Sequence, residues 1–189
     1  MKEKFLYGKY SKEYGKLEIT GTYYLAYRDL PKITQQFIKG RKALDYGCGA
    51  GRSTRFFKRL GFSVVGVDID KRMLKEAKKN DPSGGYFIIK SGDLNLFEDN
   101  NFHLIISIFT FDSISSKKEM IKILKEMKRV LKKNGVIINI VSTQDLHFYN
   151  WASFITNFPE NKAAKIGDKV RINIRGTKIT SVDYVWGDS

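Results

Sequence analysis

Apolar and polar residues follow two rhythms along this chain. From Lys42 onward, five short runs are apolar at nearly every position: "KALDYG" (42–47), "FSVVGVD" (62–68), "YFIIKS" (86–91), "FHLIISIF" (102–109) and "GVIINIVS" (135–142). Between them lie segments whose apolar residues recur three and four apart, the spacing of one helix face. The spacing predicts helices over Ser53 to Leu60, Lys71 to Lys79 and Lys117 to Lys133. In the last of these Met120, Ile123, Leu124, Met127, Val130 and Leu131 share a face, with lysines on the rest. Strands apolar on both sides and alternating with helices indicate a parallel sheet covered on both faces. The fold class is therefore α/β, a doubly wound, mostly parallel sheet.

Local chemistry fits these boundaries. Asp70 stands where an N-cap is wanted before "KRMLKEAKK", "DPSGG" (81–85) stops that helix, and Asn134-Gly135 is expected to stop the lysine-rich one. In "RDLPKITQQFI", Pro31 suits a first helical turn, with Asp29 as its cap. Residues 1–28 form a tyrosine-rich lead outside the sheet. At the other end "KVRINIRGTKITSVDYVW" alternates Val170, Ile172 and Ile174 with Arg171, Asn173 and Arg175, turns at Arg175-Gly176-Thr177 and returns. Such alternation describes an antiparallel hairpin with one wet face, an addition to a five-stranded parallel core. One domain is expected over 1–189: a lid and helix segment (1–40), a ligand-binding core (41–143) and a substrate-side segment with the hairpin (144–189), which is either a natural short form of a full sheet or one with its tail cut. The fifth strand would be left as an edge, open to pairing in a homodimer.

Composition narrows the reading. A chain of 189 residues, 42% hydrophobic, supports one good core. The amino terminus has charges every few residues, and no stretch reaches membrane-spanning length, so a soluble, cytoplasmic protein with no membrane partner is expected. One cysteine allows no internal disulfide, and one cysteine with two histidines makes no zinc cluster; no metal is expected. The net charge of +14 raises nucleic acid as a partner, but the lysines lie mostly on solvated helix faces, so nucleic acid stands as an alternative and is not favoured.

The candidate chemistry centres on "ALDYGCGAG" (43–51), directly after the first strand. Glycines 47, 49 and 51 let the backbone turn tightly and approach a ligand, and in a doubly wound sheet ligands bind at the strands' carboxyl ends. The dinucleotide pattern G-x-G-x-x-G fails because position 52 is Arg, and no Gly-Lys-Ser/Thr supports a phosphate loop. Three acidic positions accompany the loop: Asp45 in the first strand, Asp68 ending the second, and Asp93 in "SGDL" after the third. Taken in order, "ALDYGCGAG", "VVGVDID" and "SGDL", with "FHLIISIF" and "LKEMKRVLKKNGVIINI" behind them, resemble the class I S-adenosylmethionine-dependent methyltransferases over about Ala43 to Ser142.

That resemblance implies S-adenosylmethionine as cofactor, methyl transfer as the reaction and a set of cofactor-side residues. Gly47, Cys48, Gly49 and Gly51 would surround the methionine part, Cys48 as a chemically inert member, while Asp45 would help hold its amino-acid end and Arg28 pair with its carboxylate. Asp68 would accept from the ribose hydroxyls, with Ile69 against the adenine and Met73 nearby, the alternative for Met73 being plain core packing. Asp93 would accept from the adenine amino group, Leu94 would offer its backbone amide to the ring, and Ile108 and Phe109 would lie near the sulfonium. His103 replaces the aspartate that commonly opens the fourth strand and reads as structural. No Asn/Asp-Pro-Pro-Tyr/Phe tetrad follows "SIFTFDS", which argues against amino-group methylation of nucleic-acid bases, and Cys48 is misplaced for a cytosine-attacking nucleophile. A small-molecule acceptor is the implied substrate, with Tyr23, Tyr24, Tyr27, Asp145, His147, Tyr149 and Trp151 on its side and His147 the candidate base. An RNA methyltransferase and a cofactor-binding module without turnover are the alternatives, a nicotinamide enzyme the third.

Overall fold

A computed structural model describes residues 6–186. Five parallel strands form one sheet in the order β3-β2-β1-β4-β5: β1 Lys42–Tyr46, β2 Ser63–Asp68, β3 Gly85–Ile88, β4 Phe102–Ile108 and β5 Leu131–Ile140. Helices α4 (Arg52–Arg59), α5 (Lys71–Asn80) and α6 (Lys117–Val130) connect them. Ahead of the sheet come α1 (Ser11–Lys16), α2 (Thr22–Tyr27) and α3 (Leu30–Phe37).

The double-sided core follows from the strand pattern. In β4, Leu104 and Ile106 turn to one face with Leu30 of α3 and Phe57 of α4, while Ile105 turns to the other with Ile123, Met127 and Val130 of α6. All of these but Leu30, at 3%, are completely buried. Each such side chain contributes about 1.5–3 kcal/mol by leaving water.

Two helix boundaries differ from the sequence expectation. The lysine-rich helix stops at Val130 rather than Lys133, because the backbone N–H groups of Asn100 and Asn101 donate to the Arg129 and Val130 carbonyls and draw the chain into the sheet. Leu131 then pairs with Phe102, and the ladder slips so that Leu104 meets Val136. Asp29 does not cap α3; its carboxylate accepts from Arg28 at 2.8 Å instead. Asp70 does cap α5, accepting from the Arg72 amide at 2.8 Å.

After β5 a separate antiparallel sheet forms, in which β7 (Lys169–Ile174) and β8 (Thr180–Tyr184) make the expected hairpin and a short β6 (Phe154–Ile155) pairs with β7; α7 (Pro159–Lys162) lies between β6 and β7. Val170, Ile172 and Ile174 form its buried face. Ile172, Ile174 and Ile179 pack with Tyr23 of α2, Leu146 and Phe154. Reciprocal bonds between Thr22 and Ser153, 3.0 and 3.1 Å, fasten the lead segment to this sheet. Lead and hairpin thus roof the carboxyl ends of the parallel strands together.

Candidate active site

Under that roof lies a cavity of about 220 Å³. Its floor is the point where strand order reverses, between β1 and β4, which is where a doubly wound sheet opens a crevice. The glycine loop supplies one wall. Gly47 has φ +73° and sits so close to Thr110 that a Cβ would collide with its side chain, and the Gly47 and Cys48 amides donate to the Val67 carbonyl at 2.8 and 3.0 Å. Only glycine satisfies both conditions there.

Asp68, the last residue of β2, turns its carboxylate to the cavity. Its Oδ2 accepts from the Gly49 amide and its Oδ1 from the Asp70 amide, each at 2.8 Å. Each oxygen keeps a lone pair for a further donor. Burial is the main cause raising this carboxyl above the ordinary range, with the two amides opposing it. Beside it Ile69, Met73 and Ile89 make an apolar slot. Ile108 and Phe109 continue the wall at the end of β4, and Phe109 takes a left-handed φ of +61° that costs about 1–3 kcal/mol and sets its ring edge-on to Tyr23.

Of the positions expected from the sequence, the structure brings Gly47, Cys48, Gly49, Asp68, Ile69, Met73 and Ile108 onto this one wall. Cys48 is buried and its thiol is pushed up by burial, so it is present as the neutral thiol.

Other expected positions lie elsewhere. Asp45 is completely buried beneath the loop, where its Oδ2 accepts from the Ser53 and Thr54 hydroxyls at 2.6 Å each. Burial pushes its carboxyl up to about 6 against those two donors. It therefore holds the start of α4 and does not reach the cavity. Gly51, φ +81°, is filled from outside by Tyr86, whose hydroxyl would stand 2.7 Å from a Cβ. Arg28 is exposed and paired with Asp29. Asp93 accepts from the Asn95 amide, while Leu94 is core, its amide donating to Glu126 and its carbonyl accepting from Arg129. Ser91 and Ile89 stand on the wall where Asp93 and Leu94 were expected.

On the acceptor side Tyr23 and Tyr27 line the cavity, but Tyr24 and Tyr149 are exposed, Asp145 is exposed and Trp151 donates to the Leu146 carbonyl. His147 is buried behind the wall formed by its neighbour Leu146, and burial lowers its pKa, so it has neither the position nor the access of a base. His103 sits at the far end of the sheet with its ring filling the space over Gly40. The sequence reading passed over Arg52, Tyr14 and Asp183, all on the wall. Arg52 was visible as the residue directly after the glycine loop. Asp183 carried no usable signal, because hydrophobic alternation in β8 turns Val182 inward, whereas the structure buries Ser181 and Asp183.

Among the described residues no group of three His, Cys, Asp or Glu side chains could hold a metal ion, and no helix is long and apolar enough to cross a membrane. Residues 44–139 match the family model described as "Methyltransferase domain". The chain is 34% identical over 102 residues to a ribosomal protein L11 methyltransferase of Thermosipho melanesiensis, covering 53% of this chain and 37% of that protein. It is 34% identical over 101 residues to a demethylmenaquinone methyltransferase of Tropheryma whipplei, covering 52% and 41%. The matches thus span about two fifths of these relatives. In fold it is similar to an S-adenosylmethionine-dependent methyltransferase of Methanosarcina mazei, with a TM-score of 0.63 and 21% identity over 82% of this chain and 77% of that one. The family match runs through the strands and the glycine loop that build the cavity, and the chain belongs to the methyltransferase domain family, the class I S-adenosylmethionine-dependent methyltransferases.

Proposed function

We propose that this chain transfers a methyl group from S-adenosylmethionine to a small-molecule acceptor by in-line displacement. The observation that carries the reading is the roof: α1, α2 and the β6–β8 sheet cover part of the cavity, and its acceptor side is made of Tyr23, Phe109, Leu146, Phe154 and Ile172. A roofed, largely apolar cleft suits a small organic acceptor. It suits a protein loop or an RNA strand poorly; among the relatives, the name demethylmenaquinone methyltransferase records a small molecule and the name ribosomal protein L11 methyltransferase a protein.

The residues present fit the cofactor. Bare backbone at Gly47 and Gly49, the spare lone pairs of Asp68 for two hydroxyls and the Ile69, Met73 and Ile89 slot for a flat base match its three parts in order. When bound, it supplies an electrophilic methyl group on a sulfonium. The chain's part is positioning: Ile108 and Phe109 hold the acceptor's approach to one side of the loop, and the lead segment and hairpin exclude water. A cytoplasmic setting, which keeps Cys48 reduced, and pairing of two copies through the β5 edge belong to the same proposal.

Calorimetry with S-adenosylmethionine and S-adenosylhomocysteine tests the first half, binding being expected for both and lost in Asp68→Ala. Methyl transfer assayed against small phenols, quinols, amines and carboxylates, with RNA and protein in parallel, tests the second. Steeply salt-dependent RNA binding with RNA as the methylated product would replace the small-molecule reading.

A further inference from the structure

The opposite end of the sheet carries charge that the cofactor cavity does not use. At the start of β5 the ladder jumps from the Phe102–Leu131 pair to the Leu104–Val136 pair, so His103 of β4 stands against Lys132, Lys133, Asn134 and Gly135 of β5. Such a bulge turns side chains out of the regular ladder. Lys39 and Gly40, just before β1, and Asn100, just before β4, complete an open cleft around them. Its wall holds three lysines, a histidine and two asparagines, and among the described residues no carboxylate and no apolar side chain. Lys39, Lys132 and Lys133 are exposed, and none is in an ion pair among the described residues. Asp99, next to Asn100, is already paired with Arg129 at 2.7 Å. The Nδ1 of His103 is buried and has no hydrogen-bond partner. Arg41 and Lys42 stand at the same end, Arg41 over the Phe62 ring and Lys42 donating to Asn101. Like charges gathered without a counter-charge build a positive local potential, and a bound anion relieves it.

We propose that this cleft is a phosphate site, separate from the methyl-transfer cavity. β4 spans seven residues between the two, about 20 Å at the rise of a parallel strand, so a phosphate held here is no methyl acceptor. Three features select phosphate. Lysines act as point charges that suit a compact, multiply charged anion, and a lone carboxylate would leave most of their charge unmet. The asparagine amides add neutral donors. The wall offers no apolar surface to hold the body of an organic acid. The phosphate has two sources, a small free phosphate compound and the backbone of RNA, and the net charge of +14 favours the approach of either. One set of measurements separates them.

Calorimetry with pyrophosphate, and fluorescence anisotropy with a short labelled single-stranded RNA, are carried out on the wild type, Lys132→Glu/Lys133→Glu and Lys117→Glu/Lys118→Glu. The last pair is exposed in the first turn of α6, at the cavity end of the sheet, and changes the net charge by the same amount. Lys132→Glu/Lys133→Glu should weaken binding about tenfold or more, and Lys117→Glu/Lys118→Glu less than about twofold. The ring resonances of His103, told from those of His147 by the variant His103→Gln, should move as the wild type is titrated. With RNA as source, RNA displaces pyrophosphate, and the slope of its affinity against salt falls by about 2 in Lys132→Glu/Lys133→Glu. With a small phosphate compound as source, pyrophosphate binds and RNA does not displace it. The proposal is overturned by a wild type that binds neither probe, and by losses no greater in Lys132→Glu/Lys133→Glu than in Lys117→Glu/Lys118→Glu, which would show net charge alone at work. S-adenosylhomocysteine is titrated alongside, so failure of the methyltransferase reading is told apart from failure of this one. Circular dichroism shows whether each variant is folded, and Lys39→Glu, outside every strand and helix, carries the test if Lys132→Glu/Lys133→Glu is not.

Discussion

Asp45 offers the sharpest test of how the site is built. The residue is completely buried, two hydroxyls donate to Oδ2, and Oδ1 has no partner. Its carboxyl rises from 3.8 to about 6, burial outweighing the Ser53 and Thr54 donors. At about 1.4 kcal/mol per pH unit the rise amounts to about 3 kcal/mol. A raised carboxyl means that the folded state holds the proton more tightly than the unfolded chain. The stability it lends is complete below 3.8 and is lost as pH climbs through about 6. Asp45→Asn keeps an acceptor for both hydroxyls and has no proton to exchange. Urea unfolding of both proteins between pH 7.5 and 4.5 should show the difference in stability moving toward the wild type by about 2 kcal/mol as pH falls. His147 and the other carboxylates titrate in both proteins and largely cancel. A difference that stays flat would mean that water reaches Asp45 in the folded protein, and that the carboxylate does not hold the start of α4 as described.

Three further outcomes are expected. Gly51→Ala should cost about 2–4 kcal/mol in urea unfolding, since a left-handed φ and the Tyr86 hydroxyl 2.7 Å from the new Cβ both oppose it; an unchanged midpoint would show that Tyr86 moves freely. Arg28→Ala should leave the urea midpoint unchanged and S-adenosylhomocysteine affinity within about twofold, because its ion pair with Asp29 is exposed on both sides; a tenfold loss of affinity would place it back at the site. His147→Asn, once an acceptor is identified, should turn over within about twofold of the wild type at saturating cofactor, and loss of a titration near neutral pH from the rate profile would contradict its placement behind the wall.

The parallel sheet was legible because each strand is apolar on both faces, a pattern that little else in a chain of this size produces. What the pattern concealed lay where two rules compete. Lys132 and Lys133 continue the helical spacing of α6, yet the Asn100 and Asn101 amides take the helix's last carbonyls and the sheet claims Leu131 onward. β6, with two residues, is too short to leave a rhythm at all. Among the acids, distance to the strand end decided the outcome. Asp68 is the last residue of β2 and turns out into the crevice, whereas Asp45 stands one residue inside β1 and is sealed under α4. Leu94 was lost for another reason: Glu126 and Arg129, some thirty positions later, bind its backbone, and no local signal reports a partner so distant.

The same physics explains why the two halves of the site were unequally readable. The floor is made from strand ends and the turn between β1 and α4, where backbone geometry demands particular residues, glycine above all, so the demand is written in the sequence. The roof is made from aromatic and polar side chains of the lead segment and the hairpin, which meet only in three dimensions. In β8 this reverses the usual order: the strand turns Ser181 inward, its hydroxyl donating to the Ile172 carbonyl, and Asp183 inward to the cavity. Arg52 belongs to both halves. It is fixed by the floor, one residue past the glycine loop and beside the Ser53 and Thr54 that Asp45 holds, and it is met by the roof through Tyr23. A cofactor seated between floor and roof would therefore draw on both at once, so its binding should also order the lead segment. Amide hydrogen exchange in α1 and α2 measures that coupling directly. Slower exchange there on adding S-adenosylhomocysteine is expected, and exchange left unchanged at saturation would show that the roof does not answer to the cofactor.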